Sequence, residues 1–244
     1  QSSPLHTIGG QGVFVKEVQH AVLDKRANFA VHSLKDLPSL PVEGLSLVSV
    51  PKRGDPSDAL VGCRLEDLPN NANIATGSVR RKAQLSALRP DLNFHELRGN
   101  IETRLAKAKN FDAIIMASVA LERLNLNPGI VDILESNVMI PQVGQGAIGL
   151  ECLTGDKELQ GALEQIEDRE SRLRVNAERQ FLIKIGADCS QPVASHATIE
   201  AGQLRLRSFL GNEETNQVIF DDRTGPDAEL LGEEAANTFL DKIS

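Results

Sequence analysis

Short apolar runs alternate with amphipathic helical stretches through the first 140 residues, and two segments rich in Gly and Pro interrupt the alternation. This order constrains the fold more than any other feature, because strands that alternate with helices form sheets covered on their faces. Apolar spacing predicts helices over residues 13–23, 79–88 and 101–108. Strands are expected at 27–31, 45–50, 73–75, 94–97 and 113–116, in largely parallel sheets. The interruptions are Pro51-Lys52-Arg53-Gly54-Asp55-Pro56 and Pro141-Gln142-Val143-Gly144-Gln145-Gly146, and residues 148–150 read as a strand returning to the first lobe. Two crossings imply a cleft with two hinges. Beyond them a charged helical stretch covers 157–184 and Gly186 is its C-terminal cap. Strands at 193–199, 204–210 and 217–220 and a helix from 228 then make a small α+β domain.

Composition removes several classes of function. With 26 Lys and Arg against 34 Asp and Glu the net charge is −8, so a broad surface for nucleic acid or anionic membrane is not expected. Trp and Tyr are absent, which removes the usual stacking platforms for single strands. No run approaches a membrane span and no signal-peptide pattern opens the chain, so a cytoplasmic protein is expected. Cys63, Cys152 and Cys189 are odd in number and far apart, a pattern of neither disulfide framework nor zinc site. His95 and His196 have no carboxylate or cysteine at ligand spacing, and no metal is expected.

Chemistry is concentrated where strands end. Val31-His32-Ser33-Leu34-Lys35-Asp36-Leu37-Pro38 carries an apolar strand into a base, a hydroxyl, a cation and a carboxylate, the placement at which α/β proteins collect ligands. Thr76-Gly77-Ser78-Val79-Arg80-Arg81 reads as a helix start with two guanidinium groups in its first turn. Cations at that end oppose the helix dipole unless an anion lies between them. Leu97-Arg98-Gly99-Asn100-Ile101-Glu102-Thr103-Arg104 repeats the arrangement. Two such junctions point to a ligand with several carboxylates, since an Arg fork binds carboxylate through two parallel bonds. Cys189 lies in the turn Gly186-Ala187-Asp188-Cys189-Ser190-Gln191-Pro192, where a thiol can be exposed.

Together these motifs resemble the hydroxymethylbilane synthase (porphobilinogen deaminase) family. The match includes Gly9-Gly10, Gly12, Phe14 and Lys16-Glu17 as well as Val143-Gly144-Gln145-Gly146-Ala147, and it runs over essentially the whole chain. The resemblance implies two lobes like those of periplasmic binding proteins around a cleft, and a third, cysteine-bearing domain. The expected boundaries are 1–52 with 147–166, then 57–140, then 169–244. It further implies stepwise condensation of four porphobilinogen units onto a dipyrromethane cofactor held by a thioether, with release of ammonia. Cys189 matches the attachment site and Asp36 the catalytic carboxylate, which its neighbours are expected to keep ionised. Lys35, Asp36, Thr76, Ser78, Arg80, Arg81, Arg104 and Gln145 match cofactor positions, and Arg98, Arg104 and Arg123 match positions that hold acetate and propionate groups. A monomer with porphobilinogen as its small-molecule partner is expected.

Some positions depart from the family. Its first strand, with an Arg and a Ser that reach cofactor and substrate, has no counterpart, so a segment preceding Gln1 is expected. Thr7 and Gln11 stand where many relatives have lysines, and the cysteine turn reads Ala-Asp-Cys rather than Gly-Gly-Cys. The competing readings are a non-catalytic two-lobed receptor for a polycarboxylate and an inactive, N-terminally truncated synthase. Cys189 and the third domain argue against the receptor, which needs neither.

Overall fold

A computed structural model describes residues 12–186, 191–212 and 217–243. The strand-end motif lies in a three-stranded sheet made by β1 (Phe29–Ser33), β2 (Leu45–Ser49) and β8 (Ile148–Leu153), with β8 in the middle. Helices α1 (Gly12–Leu23) and α5 (Lys157–Glu164) pack against it. Among the described strands β1 is an edge of this sheet and leaves Phe29 and Val31 exposed.

A second sheet has five strands in the order β5-β4-β6-β3-β7. These are β3 (Asp58–Val61), β4 (Asn73–Ala75), β5 (Asn93–His95), β6 (Ala113–Ala117) and β7 (Val131–Leu134), joined in part by α2 (Val79–Leu88), α3 (Ile101–Ala108) and α4 (Ser118–Arg123). Both faces are covered. Leu60, Ile74 and Ile115 pack with Leu85, Leu92 and Met139, while Val61, Ala75 and Ile114 pack with Leu97 and Leu121 on the other side. Burial on both faces explains why β6 reads as an unbroken apolar run.

The third sheet is antiparallel, β11-β10-β9, from β9 (Val193–Glu200), β10 (Gln203–Gly211) and β11 (Val218–Gly225). It packs with α6 (Arg169–Ile185) and α7 (Ala228–Ile243) around Phe181, Leu206 and Phe239.

The expectation of largely parallel sheets needs correction. β4 runs parallel to β5 and β6, but β3 runs antiparallel to β6 and β7, and β8 antiparallel to β1 and β2. The crossings are the reason. β3 leaves the first crossing with Asp58 opposite Ala117, the last residue of β6, and β8 leaves the second with Ile148 opposite Ser33, the last residue of β1. A strand entering from the hinge begins where its helix-fed neighbours end, so it runs the other way. The charged stretch expected at 157–184 is also two helices rather than one. It breaks before Asp168, whose carboxylate caps α6 by accepting from Ser171 N at 2.8 Å. Gly186 ends α6 in the left-handed conformation, φ 70°.

Candidate active site

Pairing of β4 with β5 brings the two arginine-bearing junctions side by side. Thr76 N donates to His95 O at 2.9 Å, and the backbones come so close that a Cβ on Gly77 would lie 2.8 Å from Leu97 O. Ser78 and Asn100 cap the two helices, accepting from Arg81 N and Thr103 N at 3.4 and 2.8 Å.

Arg80 and Arg81 do not lie on a solvated helix face. Both are buried against Asp58, a fully buried carboxylate at the start of β3. Arg80 Nη2 lies 2.8 Å from Asp58 Oδ2, and Arg81 reaches Oδ1 through Nη2 at 2.7 Å and Nε at 2.9 Å. Gln145 Nε2 donates to the same Oδ1 at 2.9 Å. The anion that makes cations tolerable at this helix start is therefore internal. Two further guanidinium donors go to main chain, Arg80 Nη1 to Ile140 O at 2.7 Å and Arg81 Nη1 to Ile115 O at 3.2 Å. Burial alone would raise the Asp58 pKa, but Arg80 and Arg81 outweigh it and hold it at about 2. Arg80 Nε is buried with no hydrogen-bond partner among the described residues.

Lys35 and Asp36 sit in the turn after β1. Asp36 N donates to Ser33 O at 3.0 Å and Gln142 Nε2 to Lys35 O at 3.2 Å. Behind the turn lies Gly144, at φ +71°, where a Cβ would approach Leu34 C to 2.9 Å. From α6, Arg179 holds the exit of the turn through Pro38 O and Ser39 O at 2.7 and 3.0 Å. Burial, and then the nearby Arg81, lower the Lys35 pKa to about 8. The Asp36 carboxyl moves upward because burial outweighs Lys35, which itself acts to keep the carboxylate ionised.

The other candidate residues are placed differently. Thr76 is buried and its hydroxyl accepts from Ser78 N at 3.2 Å. Arg104 is partly buried; desolvation and then the nearby Arg81 lower its pKa, and its Nε donates to Gly99 O at 2.8 Å. Arg98 is 84% exposed and meets Glu96 at 3.2 Å. Arg123 Nη2 donates to Gly146 O at 2.8 Å, so it braces a crossing. Cys189, Thr7 and Gln11 lie outside the described residues.

Sequence reasoning missed the acidic half of this region. Glu178 of α6 is fully buried and joins both crossings to the third sheet. It pairs with Arg53 at 2.6 and 3.1 Å, accepts from Gly144 N at 2.8 Å and Ala197 N at 2.9 Å, and meets His196 Nδ1 at 3.2 Å. His196 thus has a carboxylate partner that local spacing does not reveal, because Glu178 lies on a separate helix. The one signal for Asp58 is an acidic residue opening the apolar run Ala59-Leu60-Val61.

Both buried carboxylates bear on acid stability. Glu178 falls from the ordinary 4.5 to about 2, as Arg53 and His196 outweigh burial, and Asp58 falls from 3.8 to about 2. A carboxylate with a depressed folded pKa stabilises the fold above its unfolded pKa and loses that contribution as pH falls through the folded value. Denaturant midpoints are therefore expected to be flat with respect to these groups above 4.5 and to drop between 4.5 and about 2. A titration showing no loss in that window would contradict the burial of both pairs.

The chain matches the family model described as porphobilinogen deaminase, dipyromethane cofactor binding domain, over residues 1–161. It matches the corresponding C-terminal domain over 172–241. A porphobilinogen deaminase of Brevibacillus brevis is 41% identical over 242 residues, covering 97% of this chain and 78% of that protein. One from a Roseiflexus strain is 43% identical over 220 residues, covering 88% and 73%. Among solved structures, the periplasmic VFT2 domain of Bordetella pertussis BvgS aligns with 62% of this chain and 66% of its own at 18% identity and a TM-score of 0.36, a likeness too loose to add to the fold described above.

Proposed function

Because this chain belongs to the porphobilinogen deaminase family, we propose that the cluster between its two arginine-bearing junctions and the Lys35-Asp36 turn is where that family's reaction takes place. The reaction is the stepwise condensation of four porphobilinogen units, with release of ammonia, to hydroxymethylbilane on a dipyrromethane cofactor, a step of tetrapyrrole biosynthesis. The observation carrying the assignment is the excess of positive charge: one buried carboxylate, Asp58, faces two guanidinium groups, with Lys35 and Arg104 close by.

The residues present fit a cofactor that brings two carboxylates on each ring. Arg80 Nε is an unfilled buried donor, and Arg104 has donors beyond the one bound to Gly99 O. When bound, the dipyrromethane supplies the pyrrole carbon to which units are added. Cys189 is the attachment residue in this reading, four positions beyond Ile185, the last residue of α6. Arg80, Arg81, Lys35, Ser78, Thr76 and Gln145 form and line the cofactor side. Arg98, exposed beside it, meets the acetate and propionate groups of incoming rings, while Arg123 acts through the crossing it braces. Asp36 stabilises the positive charge that porphobilinogen develops as ammonia leaves.

The units of this reading are residues 1–52 with 147–166, 57–140 and 169–244. The free thiols of Cys63 and Cys152 fit a reducing, cytoplasmic setting. Among the described residues no helix is long and apolar enough to cross a membrane.

Arginine substitutions separate the two sides of the cleft. Arg80→Leu or Arg81→Leu is expected to yield chain without the covalent pyrroles, whereas Arg98→Leu is expected to load the cofactor and stall with extra rings attached. Intact mass reads both outcomes, and porphobilinogen consumption with ammonia release by the wild type tests the activity itself. Loaded Arg80→Leu and Arg81→Leu proteins turning over at the wild-type rate would refute the assignment.

A further inference from the structure

We infer that Asp58 is a positioning residue for the condensation: it fixes the two guanidinium groups of α2 in the orientation that receives the cofactor's carboxylates and links them to the second crossing through Gln145. The inference rests on the reading of Arg80 and Arg81 as cofactor ligands given above. Three observations carry it. The carboxylate is fully buried, and arginine and glutamine donors from two elements converge on it within 2.9 Å. It opens β3, a strand buried along its whole length, so its position is set by the sheet rather than by a loop. Each arginine is also tied to a main-chain carbonyl, Ile140 O or Ile115 O, so that Asp58 completes a fixed geometry rather than closing a loose surface pair.

A guanidinium reaching for a ligand carboxylate from a buried helix turn has little room to adjust, and a displacement of about 1 Å at such a site can cost on the order of a hundredfold in rate. Gln145 extends the arrangement. Its Nε2 also donates to Pro56 O at 2.6 Å and its main-chain carbonyl accepts from Arg53 Nε at 2.8 Å, so both crossings meet at the residue that holds Asp58. The charges facing Lys35 are Asp36 and Asp58, which favour its protonated form, and Arg80 and Arg81, which oppose it.

The test uses the full chain as purified, reading the fraction that carries two linked pyrroles by intact mass and the rate of porphobilinogen consumption across neutral and alkaline pH. Asp58→Glu keeps the charge and displaces it by one methylene. It is expected to fold, to keep the alkaline limb in place, and to lose about tenfold or more in loaded fraction or rate. Asp58→Asn removes the charge and is expected to load poorly and to shift the alkaline limb to lower pH, as Lys35 loses one of its two counter-charges. A purely structural ion pair would cost stability in both variants and leave the loaded fraction and rate of the folded protein unchanged. If Asp58→Asn does not fold, Asp58→Glu decides alone. Wild-type loading and rate in Asp58→Glu, or wild-type loading in folded Asp58→Asn, would overturn the role of Asp58. Wild-type chain without the pyrroles would overturn the cofactor reading as well, and is seen before any variant is compared.

Discussion

Asp36→Asn is expected to slow porphobilinogen turnover by about a hundred- to a thousandfold, on the order of 3–4 kcal/mol of transition-state stabilisation, with the fold retained. The loss is large because the carboxylate acts on charge that exists only along the reaction path. The fold survives because the Asp36 side chain makes no hydrogen bond among the described residues, while its turn is held by main-chain groups, by Gln142 and by Arg179. The upward shift of its pKa by burial adds a second signature: the acidic limb of the wild-type rate profile should lie above 3.8, the ordinary value. Normal turnover with superimposable circular dichroism in Asp36→Asn would remove Asp36 from the mechanism.

Glu178→Gln is expected to be strongly destabilising. It strips the counter-charge from Arg53, whose side chain is 1% exposed, and weakens the link from both crossings to the third sheet. Breaking a buried pair by neutralising one partner costs about 3–5 kcal/mol, because the remaining charge stays desolvated. For a chain of this size that lowers the thermal midpoint by on the order of 10 °C. Calorimetry checks it. A midpoint within about 2 °C of wild type would show that Arg53 finds another partner or reaches water.

Where local signals decide structure, the sequence was legible. Residues 73–75, 79–88 and 101–108 have the bounds that their sequence predicts, since Ser78 and Asn100 are caps that a short window reveals. β3, β7 and α4 were missed. β3 is four residues opened by an acid, β7 is interrupted by Asp132, whose carboxylate is taken up by Leu65 N at 2.8 Å, and α4 is a single short helix without a side-chain cap. β11 extends five residues past its expected end because its polar residues are satisfied across the sheet, as in the 2.8 Å pair of Asp222 with Arg205.

The site divides in the same way. Arginines at strand-to-helix junctions could be seen as candidates, and the adjacency of the two junctions followed once β4 paired with β5. Their counter-ion could not be seen. Asp58 lies 23 residues from Arg81, and Arg53 lies 125 from Glu178, so only the packing of the sheets and of α6 decides which charges meet. The same separation hid the acidic partner of His196.

Cofactor attachment is read directly by intact mass followed by peptide mapping of the purified chain. A covalent excess equal to two linked pyrroles is expected, located on the peptide that contains Cys189 and absent from Cys189→Ser. An excess found on Cys63 or Cys152, or an unmodified chain that still converts porphobilinogen, would contradict that attachment.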